Sequence, residues 1–153
     1  MFAGLDILAV VTAGMASTVI ITLLMAVGPK IGMPKMDMPA MLGSMFGAPG
    51  SWTLGLIIHF MMGIIFTFIY ALLWNNGIGA ATVGSGILFG LLHWLVVGLM
   101  MGMMPKVHLG NKSGEMPEPG VYMLKNGGTM GFMGGLIGHI VFAIVVVQIY
   151  PII

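Results

Sequence analysis

WTLGLIIHFMMGIIFTFIYALLW, residues 52–74, decides the architecture. It holds no charged side chain and has a tryptophan at each end, where interfacial aromatics belong. An α-helix needs about 20 apolar residues to cross a bilayer, and this run supplies them. Three further runs are as long: residues 5–27, closed by Gly28-Pro29; residues 80–104, stopped by Pro105; and residues 129–150, stopped by Pro151. Barrel strands would alternate apolar and polar residues, whereas these runs are continuously apolar. The expectation is one all-α domain over residues 1–153, an integral membrane four-helix bundle.

Composition agrees. Of 153 residues, 59% are hydrophobic and 6% charged, against roughly 25% charged in a soluble domain. The polar inventory cannot cover a water-facing surface, so lipid is the expected solvent and first partner. A net charge of +1 without a basic stripe excludes a nucleic-acid partner. The absence of cysteine excludes disulfides, iron–sulfur clusters and thiolate sites. Residues 1–6 carry no basic residue and do not read as a cleaved leader.

Working outward, residues 75–79 are too few to do more than turn, which makes the second and third spans an antiparallel hairpin. The two longer connections fall on one side of the membrane. In the first, Asp37 and Pro39 read as N-cap and first turn of a short amphipathic helix over residues 40–46, lying in the interface. The second, residues 106–128, is the most polar stretch and reads as an ordered loop. All five lysines lie in these two connections, and the chain has no arginine. The positive-inside rule therefore makes the lysine side cytoplasmic and both termini external, in a multi-pass protein of the cell membrane.

A weak internal repeat runs through the chain. Gly55-Leu56-Ile57-Ile58-His59 returns as Gly135-Leu136-Ile137-Gly138-His139, and Pro29-Lys30-Ile31 as Pro105-Lys106-Val107. Two helix hairpins related by an axis along the membrane normal would produce this pattern. Ser17 then takes the place of His93.

His59, His93 and His139 each stand inside a span. At ~1.5 Å per residue they lie roughly 10 to 15 Å from the lysine-side ends, at one depth. Each shares a helical face with glycines: Gly55 and Gly63, Gly86 and Gly90, Gly131 and Gly135. Small residues at such spacing let backbones approach, so these faces should point into the bundle. A neutral imidazole keeps one acceptor nitrogen, the form that ligates Zn or Cu. The plainer alternative for each ring is a hydrogen bond to a carbonyl or hydroxyl.

Fifteen of the 18 methionines fall on the lysine side. Met33, Met36 and Met38 belong to the first connection, Met62 to the second span and Met101 to the third. Thioethers select soft Cu(I), and a relay of copper sites would need such spacing. Adaptable packing at the mouth of the bundle explains the same residues without a metal. His108, Asp37, Glu115 and Glu118 share this side and read first as solvated loop residues. Tyr70, Trp74, Gln148 and Tyr150 fit the opposite interface.

Gly32-Met33-Pro34-Lys35-Met36-Asp37-Met38-Pro39, then Met41 to Gly47, His59-Phe60, His93-Trp94 and Gly138-His139 together resemble an uncharacterised family. It consists of small four-span membrane proteins of bacteria and archaea with a GMPKMDM-type loop and an unknown function. The resemblance covers most of the chain and implies the topology, not a reaction.

No Ser–His–carboxylate arrangement, phosphate-cradling loop or carboxylate pair lies within a span, so a non-catalytic role is expected. The leading expectation is transition-metal binding, copper before zinc or haem, by His59, His93 and His139 with Met33, Met36, Met38, Met62 and Met101. The alternative is an accessory subunit of a larger membrane assembly, or a homo-oligomer, with structural histidines. A proton or small-solute pathway is weaker, because no intramembrane carboxylate accompanies the histidines.

Overall fold

The computed structural model describes residues 4–47 and 50–153. The leader reading falls partly on residues 1–3, outside this range. Seven α-helices follow in order: α1 (Ile7–Val27), α2 (Met38–Gly43), α3 (Trp52–Asn75), α4 (Val83–Met101), α5 (Met104–Val107), α6 (Leu109–Lys112) and α7 (Leu124–Ile149). Four of these, α1, α3, α4 and α7, lie in segments long and apolar enough to cross a membrane, and no strand occurs among the described residues. The chain is a multi-pass membrane protein with the expected all-α architecture.

Side-chain caps set the starts of three spans. Asp6 accepts from the Ala9 N–H at 3.0 Å, Ser51 from Leu54 at 3.2 Å and Thr82 from Ser85 at 3.4 Å. The third span is shorter than its apolar run. It begins after the Thr82 cap and ends at Met101, because a proline ring clashes with the carbonyl four residues earlier, here that of Met101. In α7 the helical path breaks at Gly128 (φ 54°, ψ −153°), and the apolar run resumes as helix from Thr129.

Backbone contact holds the bundle in two pairs. A Cβ on Gly14 of α1 would lie 2.9 Å from the Ile64 Cα of α3. A Cβ on Gly90 of α4 would lie 2.8 Å from both the His139 oxygen and the Ile140 Cα of α7. Gly14 and Gly90 correspond in the internal repeat, so each hairpin uses the same device. The symmetry then fails. α1 also packs on α7, whereas α3 and α4 meet chiefly through rings, Trp74 stacking on Phe89 at 5.9 Å and Phe66 on His93 at 3.6 Å. Trp74 also donates to Ser85 Oγ at 3.0 Å.

The two long connections fold together into a cap. Asp37 does cap α2, accepting from Ala40 at 3.0 Å. The short helix after the first span forms, and it is seated on the start of α3, where Gly55 leaves room for the Pro39 carbonyl. The third connection contains short helices rather than a plain loop, and it is bonded to the first. Leu109 N–H donates to the Met45 carbonyl at 3.2 Å and Gly110 N–H to that of Ser44 at 3.0 Å. His108 is not solvated; it is fully buried and donates from Nε2 to the Met41 carbonyl at 2.6 Å.

Gly90→Ala should lower the thermal midpoint in mild detergent, by the ~1–3 kcal/mol typical of overpacking against backbone that cannot move aside. Gly138→Ala, with nothing within 4 Å of its Cβ, should leave the midpoint unchanged or raise it.

Candidate metal-binding cavity

Below the cap, where rings hold α3 and α4 apart, lies a cavity of about 180 Å³. His59, His93 and His139 all line it, so the helical-face argument places each ring on the interior side. They do not converge equally. His93 and His139 meet edge to face with centroids 4.6 Å apart. His59 reaches the same cavity without meeting them, though it lies within electrostatic reach of His139. Among the described residues, no three His, Cys, Asp or Glu side chains gather closely enough to hold an ion by themselves.

Hydrogen bonds orient two of the rings. His139 donates from Nδ1 to the Gly135 carbonyl of its own helix at 2.6 Å. The Tyr70 hydroxyl lies 3.4 Å from the Phe89 carbonyl and 2.9 Å from His93 Nδ1. The Tyr70–His93 bond follows the imidazole tautomer: His93 Nδ1–H donates to the tyrosine oxygen in one, and the hydroxyl donates to Nδ1 in the other. His139 carries its proton on Nδ1 and keeps Nε2 as the acceptor, and His93 presents Nε2 in the same way in the tautomer that donates to Tyr70. The plainer reading of these histidines, a bond to a carbonyl or hydroxyl, is realised in both cases, and it uses only the Nδ1 edge. The same arrangement orients metal-bound histidines, whose second nitrogen donates to an outer partner. His59 Nε2 is buried with no hydrogen-bond partner.

Thioethers supply the rest of the donors. Met36, Met38, Met62 and Met101 line the cavity as expected, and Met25 and Met123 join them. Met33 does not. It packs at Gly28 and reaches Gly134 of α7, where a Cβ would lie 2.7 Å from its methyl carbon. Gly134, Gly135 and Gly138 form a bare strip along the cavity wall, and Gly131 one turn earlier faces Met123. Without side chains on α7, loop methionines lie in the space that side chains would fill. Neither carboxylate nor lysine lines the cavity.

Tyr70 was expected at the far interface and is instead 3% exposed, behind His93. The signal was present in the sequence: Gly63, Phe66 and Tyr70 continue the face of His59 at four- and three-residue steps. Met25 follows Thr18 and Ile21 on one face of α1 in the same way. Met123 had no such signal, because its position depends on a loop. Comparison with family models, with curated proteins and with solved structures finds no match for this chain.

Nitrogen NMR of histidine-labelled protein should show His93 and His139 as Nδ1–H tautomers. Tyr70→Phe should disturb the His93 signal and leave that of His139 in place; equal disturbance of both would contradict the bonding described.

Proposed function

We propose that the protein binds Cu(I) within the membrane, in the cavity under the cap. His93 and His139 supply imidazole nitrogens, thioethers from among Met36, Met38, Met62 and Met101 complete the shell, and His59 stands on the same cavity wall. The observation that carries this reading is the donor set: three imidazoles and six thioethers around one small cavity with no carboxylate. Soft sulfur ligands select Cu(I), whereas hard cations require oxygen. Zinc fits less well. Its sites take three or four His, Cys or carboxylate ligands, and no such group of three is assembled among the described residues. A haem fits poorly because His93 and His139 are in ring contact, leaving no gap for a macrocycle between them.

The residues divide the work. Gly135 holds His139 in the tautomer that presents Nε2, Tyr70 would do the same for His93 by accepting from its Nδ1–H, and the unpartnered His59 nitrogen makes burial without a ligand unfavourable. The apolar remainder of the wall, including Phe66, Phe142 and Val97, keeps water from competing. Handling of copper then means holding it, with no bond made or broken in a substrate. By the positive-inside rule the cap lies on the cytoplasmic side.

Metal analysis of protein purified in mild detergent after copper loading should find about one Cu(I) per chain, lost in a His59→Ala/His93→Ala/His139→Ala variant. Equal copper in both proteins would end the proposal. Stoichiometric partner chains co-purifying with both, at equal copper, would favour the accessory-subunit reading. Tyr70→Phe should weaken copper binding by about 10–100-fold, as loss of an outer partner of a ligating histidine does.

A further inference from the structure

A second chamber, of about 220 Å³, lies in the cap. Its wall includes Met36, Met38, Met41, Met116 and Met123. Three of these, Met36, Met38 and Met123, also line the histidine cavity, so the partition between the chambers includes thioethers. These residues form one packed group. Met41, Met101 and Met123 are buried, with Met36, Met38, Met104 and Met116 against them. Unbranched methionine can change rotamer without moving the backbone, so such a partition can yield.

Met123 is placed there at a cost. It and Tyr122 hold left-handed backbone, with φ of 62° and 51°. Non-glycine residues rarely adopt that region and persist in it only where the surroundings enforce them. Here Tyr122 donates to the Leu95 carbonyl at 3.3 Å and packs against both Trp94 and Phe132, while Glu118 pairs with Lys125 across the turn. The result directs Met123 between the two chambers.

The polar rim of the outer chamber is made by Lys35, Asp37 and Asn126. Asp37 caps α2 and accepts from Trp52 Nε1–H at 3.1 Å, and the thioethers are the chamber's soft donors. The opposite end of the histidine cavity is closed. Behind His93, Tyr70, Phe89, Phe142, Ala143 and Val146 are 0–6% exposed and form one packed core with Trp74 and Tyr150.

We infer that the outer chamber is a second, thioether site for Cu(I), which loads the histidine cavity from the lysine-bearing side and gives no passage through the bundle. The inference rests on the reading of the inner cavity as a copper site and assigns that site its route and its sidedness. The ion would move from thioether to thioether and then to imidazole, with no change of oxidation state.

The test uses full-length protein and Cu(I) delivered from a weak soluble chelate. Met41 and Met116 border the outer chamber only, so Met41→Leu/Met116→Leu should keep the one Cu(I) held in the histidine cavity and slow its loading by about tenfold or more. Leucine for methionine conserves volume, and a circular-dichroism melt checks the fold. The unaltered protein in proteoliposomes of known orientation provides a second measurement, independent of any variant. A membrane-impermeant Cu(I) chelator should strip copper when added on the lysine side and fail from the other. Unchanged loading rates in the variant, stripping from the far side, or copper crossing the bilayer would each overturn the inference while leaving the inner site standing. Absence of copper from the unaltered protein would overturn both.

Discussion

Where glycine removes a Cβ, the helices of this bundle touch backbone to backbone; where rings stand between them, they cannot. Gly14 brings α1 onto α3 and Gly90 brings α4 onto α7. In lipid there is no hydrophobic force between helices, so association depends on this kind of close van der Waals contact. Between α3 and α4 the side chains of Phe66, Tyr70, Trp74, Phe89 and His93 intervene. A repeat that would otherwise make a symmetric, solid bundle is thereby opened on one side. The cavity is the consequence, and the histidines are the polar groups that line it.

What the cavity can do follows from which atoms remain unused. The Gly135 carbonyl takes the Nδ1 proton of His139, Tyr70 occupies Nδ1 of His93, and His59 Nε2 has no partner among the described residues. Burying an acceptor without a donor is unfavourable in a bilayer, where water is not at hand. A soft cation would satisfy these nitrogens and the neighbouring sulfurs together. The absence of carboxylates from the lining removes the oxygen ligands that calcium or magnesium requires.

The cap turns a greasy opening into a structured one. Its two connections are joined through backbone bonds and through His108, whose Nε2 donates to the Met41 carbonyl. The fourth histidine therefore serves the fold of the cap, and the three within the membrane serve the cavity. The left-handed backbone at Tyr122 and Met123 and the bare glycine strip of α7 act together: one directs a methionine inward, and the other leaves room for it.

Residue type and order alone determined the four long apolar helices, their limits to within a few residues, the Asp37 cap and the interior placement of His59, His93 and His139. These depend on short-range rules: apolar length, proline stops and the 3.6-residue period act within one helix. The tertiary structure decided that only His93 and His139 meet, that Tyr70 stands behind His93, that Met33 lies outside the cavity while Met25 and Met123 line it, and that His108 is buried. Each of these depends on the distance between segments far apart in the chain. That distance is set by which crossings carry glycine and which carry rings, and by a loop whose backbone conformation no periodicity encodes.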